Sequence, residues 1–183
     1  MNQRTFTTNQ LVVTALMAAI TCIVGPFSVP LPFTLVPISL TNFVIYLCAY
    51  LLPVKLCSMS YLLYLLLGLV GLPVFSGFTG GAAKLAGPTG GYLIGFLLTA
   101  ICASYMIQTF EHKSYMHVIG MVSGLFFAYL LGTVWFCMQQ HVSFVAALSS
   151  CVLPFLPGDA AKIVVAVLVG IPLRKRIGSL QTA

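Results

Sequence analysis

The sequence predicts an all-α integral membrane protein: six transmembrane helices, both termini cytoplasmic, and a single domain over residues 1–183. Three observations carry this. Hydrophobic residues make up 60% of the chain and charged ones 5%, with a mean hydropathy of +1.09, which leaves no material for a soluble domain. The apolar residues fall into long runs separated by short turns rich in Pro, Gly or charge. The basic residues gather at one set of run ends, as they do on the cytoplasmic side of a membrane protein.

Met1–Thr8 is polar, carries Arg4 and reads as a cytoplasmic tail. Asn9–Val24 is the first span, short for a bilayer that takes about 20 residues. No small-residue cleavage site follows Leu11–Val24 before Pro26, so the segment is expected to be a helix and not a cleaved signal. Ala15 and Ala19 stand four apart with Ala18 beside them. Small residues at that spacing flatten a helix face for close approach, whether inside the bundle or against a partner. Gly25–Pro37 holds four prolines, a density that denies a regular helix. Apolar non-helical backbone of this kind belongs where protein covers it or where it lines a cavity. It reads as a loop folded over or into the bundle, a candidate lid, with a plain extramembrane loop as the alternative.

Ile38–Leu52 is the second span, with Ser39, Thr41 and Asn42 near its outer end; Pro53-Val54-Lys55 turns the chain, and Leu56–Val70 is the third. Gly71–Gly91 follows, a loop with seven glycines and two prolines that permit tight backbone approach and positive φ. It contains no GxxxxGK[ST], so it is not a phosphate loop, and Phe75 and Phe78 are apolar anchors that a flexible linker lacks. Tyr92–Phe110 is the fourth span and Tyr115–Met138 the fifth. Val142–Leu153 is too brief to cross, and Gly158–Leu173 is the sixth, followed by the basic run Arg174-Lys175-Arg176. With six spans, Arg4, Lys55, Lys113, Arg174, Lys175 and Arg176 share one side and Lys84 alone lies on the other. That count puts the termini inside and the proline loop, the glycine loop and the start of the sixth helix together at the outer face.

There, in PFLPGDAAKIVVA (154–166), Asp159 and Lys162 stand at i and i+3, neighbours on one helix face in otherwise apolar sequence. Each charge costs roughly 2.5–3.5 kcal/mol at the bilayer centre on insertion scales, so such residues face a protein interior or a wet cavity, and a ligand site is the default reading. The bland reading is an acid complementing the dipole of a helix start at Pro157, with Lys162 as its counter-ion. Other classes fare worse. The +6 charge is scattered or terminal and gives no nucleic-acid patch, and the six cysteines lie in apolar runs without CxxC spacing. The three histidines sit near segment ends, so no metal site is expected. An intramembrane enzyme needs a nucleophile–base or metal constellation inside the spans. A self-contained secondary transporter or channel predicts ionisable residues on several helices, often with inverted repeats; this chain has one such pair and no repeat.

Three motifs, Gly71-Leu-Pro-Val-Phe-Ser-Gly-Phe78, Gly87-Pro-Thr-Gly-Gly-Tyr-Leu-Ile-Gly-Phe96 and Pro154-Phe-Leu-Pro-Gly-Asp-Ala-Ala-Lys162, resemble the BioY family in order and over nearly the whole chain. That family comprises the biotin-binding S components of energy-coupling factor (ECF) transporters. The resemblance implies a six-helix S-component fold in a bacterial cytoplasmic membrane and high-affinity biotin capture. It also implies a partner module of one transmembrane coupling protein and two ABC-type ATPases; ATP would serve those partners, and no cofactor is expected on this chain. By the same resemblance Asp159 and Lys162 contact biotin and the Ala15/Ala19 face docks the coupling protein. Thr41 stands where relatives often carry glutamine, with Asn42 beside it. Biotin offers ureido N–H donors, a ureido oxygen, an apolar body and a carboxylate. Asp159 suits the N–H groups, and Lys162 suits the carboxylate or the ureido oxygen. The candidate set is completed by Thr41, Asn42 and Thr79, and by aromatics that would cover the apolar parts: Phe33, Phe75, Phe78 and Tyr92. Each aromatic reads equally as membrane packing or an interfacial anchor.

Overall fold

The computed structural model describes residues 7–32 and 34–181, with side chains as far as Arg176. In chain order the elements are α1 (Thr8–Val24), β1 (Ser28–Leu31), β2 (Thr34–Ser39), α2 (Thr41–Leu51), α3 (Val54–Leu69), α4 (Ala82–Ala86), α5 (Gly90–Thr109), α6 (Ser114–Gln140), α7 (Phe144–Cys151) and α8 (Leu156–Gln181). Arg4 and Phe33 lie outside the described residues.

Among the described residues three helices are long and apolar enough to cross a membrane: Gly90–Thr109, Ser114–Gln140 and Leu156–Arg176. Helices α1, α2 and α3 are apolar but shorter. The expected second span, Ile38–Leu52, shrinks to the 11 residues of α2 because Ile38 and Ser39 belong to β2. At 1.5 Å per residue that is about 16 Å, roughly half a hydrocarbon core. Its setting explains the length. It packs against α1, α3, α5 and α8, and Thr41, Asn42, Val44, Ile45, Tyr46, Cys48, Ala49 and Tyr50 are all buried. A helix apolar all round and enclosed by neighbours is a core element, and bilayer thickness does not set its length.

The proline segment is a correction to both the loop and the all-α expectation. Ser28–Leu31 and Thr34–Ser39 form an antiparallel hairpin pairing Ser28 with Ser39, Val29 with Ile38 and Leu31 with Thr34, and the register breaks between Val29 and Leu31. A two-stranded ribbon consists of edges, where proline is tolerated. Pro30, which lacks an N–H, sits at the irregularity.

The tightest packing is between α5 and α6. Gly120, Gly124, Ala128 and Gly132 recur every fourth residue along α6, the small-residue spacing that lets helix backbones approach closely. A Cβ on Gly124 would lie 2.6 Å from Thr99 Cα, and one on Gly95 2.7 Å from Ala128 Cα. The contact is closed by a hydrogen bond from Thr99 Oγ1 to the Gly124 carbonyl at 3.0 Å.

At the end of the bundle holding the α5–α6 turn, Arg174 donates to the Ile107 carbonyl at 2.9 Å and to Glu111 at 2.5 Å. The basic run expected as a tail therefore begins inside α8, which continues through Pro172. The opposite end gathers the hairpin, α4, α7 and the starts of α2, α5 and α8. The Gly71–Gly91 stretch is ordered there, with α4 in it, a Phe75–Thr79 bridge, and Gly71, Gly77 and Gly81 at φ of 110°, 77° and 89°.

Candidate functional site

At that end the loops close over the start of α8 and leave a narrow cleft with a cavity volume of ≈ 50 Å³. The chain enters α8 through Pro154-Phe-Leu-Pro157-Gly, and Asp159 falls in the first helical turn, where a carboxylate complements the helix dipole. One turn on, Lys162 projects from the same face and its Nζ lies 2.8 Å from Asp159 Oδ1. The two side chains are only 7% and 12% exposed. A charge buried to this degree needs partners, and the surrounding elements provide them. Asn42, at the start of α2, donates to Asp159 Oδ1 at 2.9 Å, and Tyr129 of α6 donates to Asp159 Oδ2. Lys162 Nζ donates also to the Ser39 carbonyl at the end of β2 (2.6 Å) and to Asn42 Oδ1 (3.2 Å). Hairpin, α2, α6 and α8 thus converge on one buried ion pair.

Counting donors and lone pairs shows what remains available. An ammonium has three N–H donors, and all three of Lys162's are matched inside the protein. A carboxylate accepts about four hydrogen bonds; Asp159 receives two on Oδ1 and one on Oδ2. The open acceptor position is therefore at Oδ2. Val36, Pro37, Leu93, Phe96 and Phe155 supply apolar wall, with Ser76, Tyr92 and Cys151 between them. Lys84 and Thr89 line the side built by α4 and the start of α5. Burial lowers the Lys84 ammonium below the ordinary lysine range.

Of the residues named from sequence, Asp159, Lys162, Asn42 and Tyr92 line this cleft. Tyr92 turns its hydroxyl to Thr133 Oγ1 at 3.3 Å. Thr41, Phe75, Phe78 and Thr79 do not line it. Thr41 is buried beside Asn42. Phe75 is wholly buried, edge-on to Tyr64 and packed against Gly68, where a Cβ would lie 2.1 Å from its ring. Phe78 is exposed at φ 56° and stacks edge-on with Phe27. Thr79 bonds back to the Ser76 carbonyl at 3.0 Å. An apolar anchor in a glycine loop fills a core as readily as a pocket, and here it fills the core. Tyr129 escaped sequence reasoning because a tyrosine in a spanning helix has no charge to flag it. The signal was indirect: a buried carboxylate needs donors from other helices. Ala15 and Ala19 lie on the open side of α1, beside the exposed Leu11, Val12, Leu16 and Ile23, while Ala18 is buried.

Comparison with known proteins adds the following. A family model, the BioY family, matches residues 1–179. The chain is 38% identical to "Biotin transporter BioY" of Thermotoga maritima over 148 residues, 80% of this chain and 86% of that one. It is 33% identical to "Biotin transporter BioY2" of Lactococcus lactis subsp. cremoris over 159 residues, 87% and 86% of the two chains. A crystal structure described as the S-component for biotin from an ECF-type ABC transporter superposes with a TM-score of 0.86 at 32% identity, covering 93% of this chain and 95% of that one.

Proposed function

The chain belongs to the BioY family, a family of transport proteins and not of enzymes, and on that premise we propose that it captures biotin in the cleft at the start of α8. The observation that carries the proposal is the buried constellation of Asp159, Lys162, Asn42 and Tyr129, which leaves Asp159 Oδ2 able to accept one more donor. A ureido N–H is such a donor. The apolar walls of the cleft suit the thiophane and the methylene chain, as is usual where a small molecule is bound in a concave site.

In this reading Asp159, Asn42 and Tyr92 meet the ligand, and Lys162 holds the carboxylate of Asp159 in place. Thr41, Phe75, Phe78 and Thr79 act from behind, fixing the start of α2 and the turn that carries Ser76. The protein sits in a bacterial cytoplasmic membrane with six membrane-embedded helices, α1, α2, α3, α5, α6 and α8, termini inside and the cleft facing out. Capture needs no ATP. Delivery across the membrane depends on a transmembrane coupling protein and two ABC-type ATPases, with the open Ala15/Ala19 face of α1 as the docking surface.

The test is uptake of labelled biotin by cells that have no biotin uptake of their own, expressing this chain with and without a coupling module from a biotin transporter. Uptake that appears with the module, and fails with an ATPase-dead module, supports the proposal. A chain that never raises uptake or cell-bound biotin above background overturns it.

A further inference from the structure

Asn42 touches both charges of the buried pair. Its Nδ2 donates to Asp159 Oδ1 at 2.9 Å, and its Oδ1 accepts from Lys162 Nζ at 3.2 Å. The direction of this amide therefore helps to set where the carboxylate sits. The amide oxygen has a second tie, the Phe43 N–H at 3.1 Å. The nitrogen carries two N–H donors, and Asp159 takes one of them.

Tyr46 stands one helical turn further along α2, on the same face as Asn42. The residue is 0% exposed, and its hydroxyl is buried without a hydrogen-bond partner. Other buried tyrosines of this bundle are served: the Tyr61 hydroxyl donates to the Leu93 carbonyl at 2.7 Å, and that of Tyr92 meets Thr133 Oγ1. The Tyr46 hydroxyl lies instead beside the Asn42 side chain and within electrostatic reach of the Asp159 carboxylate. Tyr129, which donates to Asp159 Oδ2, has Tyr46 among its own neighbours. A buried hydroxyl with nothing to bind is costly, and a phenylalanine would fill the same space without that cost. The unserved oxygen of Tyr46 and the second N–H of Asn42 are complementary and adjacent.

We infer that Tyr46 is a positioning residue of the site: its oxygen receives the second N–H of Asn42 and keeps that amide turned towards the ion pair. Tyr46 does not line the cleft, so it acts on the ligand through Asn42 and Asp159. A chain of contacts, Tyr46 to Asn42 to Asp159, then runs from the core of the bundle to the ligand and leaves Oδ2 free for a ureido N–H. This role rests on the biotin reading given above.

The experiment is equilibrium binding of biotin to the purified full chain, with thermal unfolding alongside, in the wild type, Tyr46→Phe, Tyr64→Phe, Asn42→Ala and Asn42→Ala/Tyr46→Phe. Tyr64 is the matched control: its hydroxyl is also buried without a partner, but it lies against α1, where a Cβ on Gly25 would meet it at 2.9 Å. Tyr46→Phe should weaken biotin by about three- to tenfold, the range of one neutral hydrogen bond, with Tm close to the wild type. Tyr64→Phe should bind as the wild type does. In the Asn42→Ala background, adding Tyr46→Phe should change affinity by less than about twofold, since groups that act through one another are not additive. Wild-type affinity in Tyr46→Phe, a loss matched by Tyr64→Phe, a loss that comes with a collapse in Tm, or a full further loss in the Asn42→Ala background each overturns the positioning role and leaves biotin capture standing. A wild type that does not bind biotin overturns capture and the role with it.

Discussion

Replacing Lys162 with methionine keeps the length of the stem and removes the ammonium. The structure says what this strands: Asp159 Oδ1 loses a donor at 2.8 Å, the Ser39 carbonyl one at 2.6 Å, and Asn42 Oδ1 one at 3.2 Å. Removing one partner of a buried ion pair costs roughly 3–5 kcal/mol. Asp159 keeps Asn42 and Tyr129 as donors, which puts the expected loss at the low end, about 3 kcal/mol. For a chain of this size that is a fall in Tm of about 6–12 °C. Asp159→Asn should cost a comparable amount, since it leaves the ammonium beside a neutral amide. The double variant Asp159→Asn/Lys162→Met should recover most of the stability, because replacing both charges of a buried pair is often near neutral. Biotin affinity should not recover. Losing the carboxylate should weaken biotin at least tenfold, about 1.4 kcal/mol, in the single and the double alike. Thermal unfolding and equilibrium biotin binding on the three variants separate stability from recognition. A double variant as stable as the wild type with unimpaired binding would refute the site, and the pair would be a structural clasp.

Three further outcomes are expected. In a background without reactive native cysteines, Thr79→Cys should be labelled by a membrane-impermeant thiol reagent from outside and Lys113→Cys should not; the reverse pattern contradicts the outward-facing cleft. Trp at Ala15 or Ala19 should leave biotin binding by the isolated chain intact and lower module-dependent uptake, because these residues lie on the open side of α1; equal loss of both would make the face internal packing. Gly124→Ala sets a Cβ 2.6 Å from Thr99 Cα, and overpacking of this kind costs typically 1–3 kcal/mol, so Tm should fall by about 2–12 °C; an unchanged Tm would mean that α5 and α6 separate freely.

The ion pair was legible in sequence because charge is rare here: Asp159 is one of two acidic residues, and its i,i+3 partner needs no tertiary information to find. Its partners from other elements were harder. Asn42 was singled out as a polar residue near the outer end of the second span, beside the position where the resemblance expects glutamine, whereas Tyr129 is one tyrosine of eight and only the fold brings it to Asp159. Proline density correctly excluded a helix at Gly25–Pro37, but a two-stranded ribbon accepts the same residues. Hydropathy located three helices long and apolar enough to cross a membrane, α5, α6 and α8, and three shorter apolar ones, and it overstated α2, whose length answers to enclosure by four helices. The small-residue spacing noticed at Ala15 and Ala19 recurs at Gly120, Gly124, Ala128 and Gly132, and there it builds the interior. Spacing alone does not tell a docking face from a packed one. Lys84 counted only towards orientation in the sequence, and the fold puts it in the lining of the cleft.

The account turns on capture of biotin by this chain alone. Equilibrium binding of labelled biotin to the purified protein, without ATP and without any partner, tests that most directly. The account predicts saturable binding at one site per chain, weakened at least tenfold by Asp159→Asn, as a lost ligand hydrogen bond to a charged group implies. A folded wild-type protein that shows no saturable binding, or an Asp159→Asn variant that binds as tightly as the wild type, would contradict it.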